Sequence, residues 1–174
     1  IGGLMPLILP GNVASALPTG FDVANSCRFD TNAYMGRTPG TASGSGTKAT
    51  FSCWIKPSFI PSSDTALLTI GDSSSTSVFN VGWSGGGLWV GVLDSAAYAG
   101  SVSTTRKYRD QSAWMHICVT YDTTQATSTD RIKITINGTR ETTLTYNTFP
   151  SQNHANGALT ATTGYTQRLC SYTF

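Results

Sequence analysis

The chain has 174 residues, of which only 11% are charged, and its formal net charge is +2. Typical soluble domains carry about 25% charged residues, and here Thr, Ser, Asn and Gly take their place, a composition typical of all-β, tightly turned proteins. The length fits one domain with a two-sheet core. The small net charge and the lack of a basic cluster exclude the electrostatic footprint of a nucleic-acid-binding protein.

The N-terminal segment, residues 1–23, is apolar but repeatedly interrupted by Pro and Gly. Pro6 and Pro10 break its apolar runs and no basic region precedes it, so we expect neither a signal peptide nor insertion into a membrane. Because Pro and Gly oppose a long helix, an extended arm is predicted. Its apolar side chains are costly in water, which favours docking on a neighbouring subunit or scaffold over packing on its own domain. The predicted anchoring residues are Leu4, Leu7, Ile8, Leu9 and Val13.

Residues 24–174 are predicted to form one domain of short strands separated by turns. Gly36–Thr47 has the composition of a loop. The strand that follows places Phe51, Cys53 and Ile55 on one face and Trp54 on the other. Tyr98–Arg109 is predicted to be irregular or an edge strand. The strands predicted between these two segments are Lys48–Lys56, Thr65–Ile70, Ser77–Trp83 and Leu88–Leu93, the last two joined by a Gly-rich hairpin.

The clearest pattern lies between Tyr108 and Leu144. Ala113–Asp122 is apolar on both faces, which predicts a central buried strand. Arg131–Ile136 then alternates, with three isoleucines on one face and Arg, Lys and Thr on the other, as in a sheet with one solvated face. Asn137-Gly138 predicts a type I′ turn, so that Thr139–Leu144 should return as the next strand.

This stretch resembles the concanavalin A-like (laminin G or pentraxin-type) jelly roll, and Tyr108–Gly138 resembles the version found in virion proteins of tailed bacteriophages. Ser26–Asp30 with Tyr34–Arg37, and Thr50–Lys56, are similar to the family's first strands. The resemblance implies an antiparallel two-sheet β-sandwich. It also implies a further strand after Tyr165–Phe174, so we expect either that the chain is a fragment or that a neighbour supplies the missing strand by edge addition.

The four cysteines, at positions 27, 53, 118 and 170, form no CxxC pair and no metal-ligand spacing. Cys53 and Cys118 lie in strand-like apolar runs, where a thiol behaves as a small hydrophobe. The phage resemblance implies assembly in a reducing cytoplasm, which favours four free thiols, with one disulfide as the alternative.

Catalytic and metal-binding patterns are weak. Glycan hydrolysis needs two well-placed carboxylates, but Glu141 is the single Glu and no two Asp residues stand at i, i+2 spacing. Gly82–Gly86 matches G-x-S-x-G but joins two predicted strands instead of a strand and a helix. His116 is expected to be a hydrogen-bonded structural residue. No metal or cofactor is therefore predicted, although calcium at the Asp residues that end strands is the alternative, since related folds bind it.

Sugar recognition would need exposed aromatic faces beside polar groups. Trp83 and Trp89 flank the glycine hairpin and, with Tyr98, are the predicted carbohydrate-binding residues, the alternative being that they belong to the core. The resemblance favours a non-enzymatic structural component of a tailed-phage virion, such as a capsid decoration or fibre module. It would lie on the virion surface as a homo-oligomer, anchored to other virion proteins by its arm. The alternative function is an adhesin that binds host-surface glycans.

Overall fold

A computed structural model describes residues 26–29, 33–40, 44–58, 64–72, 76–160 and 164–171. The predicted anchoring residues of the arm, Leu4, Leu7, Ile8, Leu9 and Val13, lie outside these ranges. The described residues form eleven strands and two short 3-10 helices, Ser128–Asp130 and Gly157–Thr160. Within these ranges no helix has the length and apolar character needed to cross a membrane.

The strands, in chain order, are β1 (Met35–Arg37), β2 (Lys48–Ile55), β3 (Thr65–Gly71), β4 (Val78–Ser84), β5 (Gly87–Asp94), β6 (Ala97–Thr104), β7 (Met115–Asp122), β8 (Ile132–Ile136), β9 (Thr139–Arg140), β10 (Leu144–Thr148) and β11 (Thr166–Leu169). They form a seven-stranded sheet in the order β1-β11-β3-β4-β5-β6-β10 and a four-stranded sheet in the order β2-β7-β8-β9. All pairings between them are antiparallel. The predicted all-β, antiparallel two-sheet sandwich is confirmed.

The core lies between the two sheets, and the alternation in β8 explains why. Ile132, Ile134 and Ile136 are 2%, 1% and 5% exposed, as predicted, because every second side chain of the strand points at the other sheet. Across the core, Phe79 of β4 meets Tyr121 of β7 edge to face, with ring centroids 5.6 Å apart. The apolar sides of the sheets therefore hold the sandwich together.

Strand β7 differs from its prediction. Its burial alternates between buried and partly buried residues, so it is not enclosed on both faces. The strand is central in its sheet, between β2 and β8, but none of the described strands or helices covers the outer side of this sheet. Trp114, predicted to lie in this strand, precedes it and is 54% exposed. The outer side of β7 is therefore partly open to solvent.

Two glycine-containing hairpins form as predicted. Asn137 and Gly138 have φ angles of 49° and 80°, and Gly85 and Gly86 have φ angles of 52° and 83°, the positive values that a type I′ turn requires. The return strand Thr139–Leu144, however, is divided. Its first two residues form β9 beside β8, and the chain then crosses to the other sheet, where Leu144 begins β10.

The segment predicted to be irregular contains a regular strand. Residues 97–104 form β6, which pairs with β5 on one side and β10 on the other, so it is not an edge. The β5–β6 turn places Ser95 and Ala96 at φ angles of 53° and 62°, values that side chains other than Gly, Asn and Asp rarely adopt. Because this turn contains neither Gly nor Asn, the sequence gives no sign of its positive φ angles.

At the C-terminal end, β11 lies between β1 and β3, directly beside the first strand. The four cysteines are free thiols in this structure: Cys27 is exposed and the other three are partly buried. Burial, with a smaller effect of the nearby Cys170 thiol, raises the pKa of Cys53 to about 11.

Candidate functional site

The outer face of the four-stranded sheet carries an exposed aromatic cluster. Trp54 on β2 is 64% exposed, and Trp114, next to β7, is 54% exposed. The inward-facing Phe51, Cys53 and Ile55 fix Trp54 on the outer side, since neighbouring residues of a strand alternate between faces. Within β7, the same alternation places His116 on the outer side. We call Trp54, Trp114 and His116, with Ser52, the outer-face site.

His116 holds this site in order. It lies directly opposite Trp54 in the ladder between β2 and β7, and the two ring centroids are 5.3 Å apart at an interplanar angle of 42°. Its Nε2 is 2.9 Å from the Ser52 hydroxyl, a hydrogen bond whose donor depends on the tautomer. Its backbone N–H donates to the Asn137 side-chain oxygen at 2.8 Å. The prediction that His116 is a hydrogen-bonded structural residue fits these contacts.

Chemically, the outer-face site offers flat apolar rings beside hydroxyl and imidazole groups. A tryptophan face stacks on apolar faces, and hydroxyl or ring nitrogen groups can both donate and accept hydrogen bonds. Thr50 and Thr120 extend the hydroxyl row along the sheet, where they lie opposite each other. This combination suits a flat ligand with one apolar face and a polar edge, such as a pyranose ring.

The predicted carbohydrate-binding tryptophans are not available at the surface. Trp83 is 4% exposed and packs on Tyr108, with ring centroids 5.6 Å apart. Trp89 is 6% exposed, and its indole N–H donates to the Ser101 hydroxyl at 3.1 Å. The burial of both rings favours the alternative interpretation, that these two tryptophans belong to the core. Tyr98 is 56% exposed but lies on the other sheet, edge-on to Trp89.

Sequence reasoning missed Trp54 and Trp114 as site residues, although a signal was present. Trp54 was placed on the face opposite Phe51, and Trp114 stands two residues before His116. Treating the Ala113–Asp122 strand as buried on both faces removed the outer-face site from consideration.

The aspartates that were considered for calcium are used in local turns. Asp72 accepts hydrogen bonds from the Thr76 N–H and hydroxyl at 3.0 and 2.6 Å. Asp94 accepts one from Ser77 at 2.7 Å. In the described part of the chain, no three His, Cys, Asp or Glu side chains are grouped so that they could hold a metal ion.

Asp110 and Asp122 cap turns by accepting hydrogen bonds from Ser112 and from Thr124. These hydrogen bonds lower the pKa of both carboxyls below the usual range. Arg131, directly before β8, donates to the backbone carbonyls of residues 125, 126 and 150. The cation near Asp122 is Lys48, at 3.9 Å.

A cleft of about 300 Å³ lies between the sheets, at the flank formed by β8, β9 and β10. Its walls include Val102, Ile134 and Phe149, and its rim carries Arg140 and Glu141. Arg140 is paired with Asp130 at 2.7 Å, and Glu141 with Arg106 at 3.3 Å. Both charged side chains of the cleft are therefore already paired with other residues of the chain. The cleft has few free polar groups with which to bind a polar ligand.

Comparisons with known proteins agree with the sandwich. A family model described as concanavalin A-like lectin/glucanases superfamily matches residues 29–171. Domains LG4-5 of the mouse laminin alpha1 chain have a TM-score of 0.51 at 10% identity, over 79% of this chain and 32% of that chain. The native heptameric SAP-like pentraxin from Limulus polyphemus has a TM-score of 0.50 at 15% identity, over 81% and 60% of the two chains.

This chain thus spans less than two thirds of the length of either structure, and at such identities the likeness shows the fold alone. A search of curated proteins finds no match.

Proposed function

Since this chain belongs to the concanavalin A-like lectin/glucanases superfamily, we propose that it is a non-catalytic carbohydrate-binding module that binds its ligand on the outer face of the four-stranded sheet. The observation that carries the proposal is Trp54, which is 64% exposed on that face and packs against His116, together with Trp114, which is 54% exposed directly before β7. Large aromatic side chains are costly to expose to water, and a role in ligand binding explains why they lie at the surface. Membership of a lectin and glucanase family does not by itself assign sugar binding to this chain. The proposal therefore rests on the aromatic, hydroxyl and imidazole groups of the outer-face site.

The acidic side chains of this face argue against hydrolysis. A glycosidase needs two carboxyl groups on either side of the bond that it cleaves. Among the described residues of β2, β7 and β8, the outer face has a single acidic side chain, Asp122. Asp122 caps a turn at the end of the sheet far from Trp54. Binding without bond cleavage is the activity that this arrangement supports.

A glycan array probed with the full chain tests this proposal. Trp54→Ala and Trp114→Ala should each reduce binding of the recognised glycan by tenfold or more, because each removes an aromatic contact surface worth about 2 kcal/mol or more. Tyr98→Ala is the matched control, an equally exposed aromatic residue on the other sheet, and should bind normally. An array without any bound glycan, or loss of binding in the Tyr98 variant alone, contradicts the outer-face site.

A narrower proposal concerns where the module works. The similarity of Tyr108–Gly138 to virion proteins of tailed bacteriophages supports a role as a structural component of a virion surface. There it would form a homo-oligomer and contact other virion proteins, with host-surface glycans as the ligand. Peptide mass spectrometry of purified particles, compared with the unassembled fraction of the same lysate, tests this role. A chain found only in the unassembled fraction would exclude it.

A further inference from the structure

The seven-stranded sheet extends beyond the four-stranded sheet on one flank. Phe79 and Tyr121 are in contact, which places β4 opposite β7. Val102 of β6 and Ile134 of β8 line the same cleft between the sheets. The order of the two sheets then places β2, the last described strand of the smaller sheet on the other flank, near β3. Among the described residues, the larger sheet continues past this point with β11 and β1.

We call the part of the seven-stranded sheet that extends past β2 the overhang. The exposure of one row of side chains increases toward it. Val81, Leu68, Leu169 and Met35 are aligned across β4, β3, β11 and β1, and aligned residues in a sheet point to the same face. Val81 is fully buried in the core, and the next two are partly buried. Met35 is 53% exposed. The inner face of the sheet is therefore apolar up to its edge, but loses its cover along the row.

The free edge of β2 borders the same space. β2 pairs with β7 along all eight of its residues, and the described residues provide no strand on its other side. It contains neither Pro nor a bulge, two of the devices that usually protect an edge strand, and its charged residue, Lys48, stands at its first position. Its inward-facing Phe51, Cys53 and Ile55 are only partly buried. We call the free edge of β2, together with the inner faces of β11 and β1, the slot.

We propose that the slot binds one extended strand, and that this strand is Leu4–Pro10 of the N-terminal segment. Neighbouring strands lie about 4.8 Å apart and facing sheets about 10 Å apart. A strand added to β2 would therefore lie opposite β11 and against Leu169. It would complete the hydrogen bonding of β2 and cover the part of the overhang next to it.

The overhang itself excludes the edge of a second folded copy. Two β2 edges could pair antiparallel only about a twofold axis perpendicular to their sheet. The seven-stranded sheets of both copies would then lie on the same side. The two overhanging strands of each, together about 10 Å wide, would occupy the same space. A lone strand has no second layer and meets no such obstacle.

The residues of Leu4–Pro10 suit the slot in two respects. All seven are apolar, so both faces of the strand could be covered, one by the overhang and the other beside Trp54. Pro6 and Pro10 stand four residues apart, and backbone groups in a strand alternate sides. Both prolines can therefore face away from β2, where a missing N–H costs nothing, while Met5, Leu7 and Leu9 bond to β2. The segment also precedes β1, which borders the slot.

Disulfide mapping on the full chain tests the proposal. Leu7→Cys adds one thiol to the segment, and the native cysteines supply competing partners. After oxidation at pH 9, mass spectrometry should find position 7 joined to Cys53, in the slot. An undocked segment would instead join to the exposed Cys27, because Cys53 is partly buried and, with its raised pKa, reacts only with a thiol that docking holds beside it. A linked monomer shows docking within one chain and a linked dimer shows exchange between copies, and both support the slot.

Hydrogen exchange gives a second readout that needs no added thiol. Leu7→Asp places a charge in the slot, at a cost above the 1.4 kcal/mol that corresponds to a tenfold change in an equilibrium. The β2 amides that point away from β7 should then exchange about tenfold faster or more. Ala14→Asp is the matched control, with the same charge outside Leu4–Pro10, and should leave these rates unchanged. Unchanged rates in both variants, or linkage of position 7 to Cys27 and not to Cys53, would overturn the proposal.

Discussion

Trp54 and Trp83 give the sharpest test of the outer-face site, because the same substitution should have opposite consequences at the two positions. Trp83 is 4% exposed and packs on Tyr108. Trp83→Ala should therefore lower the free energy of unfolding by about 3–5 kcal/mol, the usual cost of removing a buried tryptophan ring. Any loss of glycan binding in this variant would follow from unfolding.

Trp54 is 64% exposed, so only about a third of its side chain is shielded from water. For a side chain of roughly 200 Å², at about 25 cal/mol per Å², Trp54→Ala costs at most about 2 kcal/mol. The true value is smaller, because the unfolded chain also shields part of the ring. Glycan binding, in contrast, should fall by tenfold or more. Trp54→Phe keeps an aromatic face and should retain part of the affinity.

Urea unfolding followed by far-UV circular dichroism measures the stabilities, and titration of the array-selected glycan measures the affinity of variants that remain folded. The reasoning fails if Trp54→Ala destabilises the chain as much as Trp83→Ala, since Trp54 would then be a core residue. It fails equally if the folded Trp54→Ala variant binds the glycan as the unmodified chain does.

The remaining predictions concern the fold and its electrostatics. Ile134→Ala should lower the free energy of unfolding by about 2–5 kcal/mol, whereas Thr135→Ala, on the solvated face of the same strand, should cost less than about 1 kcal/mol, both measured by urea unfolding. Replacing Ser95 by Asn and Ala96 by Gly should raise the thermal midpoint, since these residues tolerate the positive φ angles of this turn, with a gain of about 1 kcal/mol; a lowered midpoint would contradict the turn geometry. The Arg140 hydrogen bond lowers the pKa of Asp130 below its ordinary value of 3.8, so its stabilising effect is complete above pH 3.8 and is lost as the pH falls through the folded-state pKa. The stability difference between the unmodified chain and Asp130→Asn should therefore shrink in acid, and a constant difference across this range would refute the assignment.

Several features could be predicted from the sequence because they depend on local chemistry. The isoleucine alternation from Ile132 to Ile136 determines which face of β8 is buried, whatever packs against it. Asn137-Gly138 predicts its turn because both residues tolerate positive φ. The β5–β6 turn could not be predicted in this way, since Ser95 and Ala96 have no intrinsic preference for the conformation that the paired strands impose on them.

The candidate site depended on tertiary structure to a greater extent. Trp54, Trp83 and Trp89 all lie in strands next to residues of similar character, and their sequence surroundings do not state which faces are covered. Exposure is decided by whether another layer packs on that side of the sheet, and the four-stranded sheet has an outer face with two tryptophans in solvent. The free edge of β2 could not be predicted from the sequence either, because it arises from the unequal widths of the two sheets.

The sequence by itself determined where most of the strands form and which side chains of a strand share a face, because alternation and turn preferences act between residues close in the chain. The tertiary structure decided which of those faces are covered and which strand edges are left open. Coverage requires contacts between segments far apart in sequence, and no local pattern of residues specifies them.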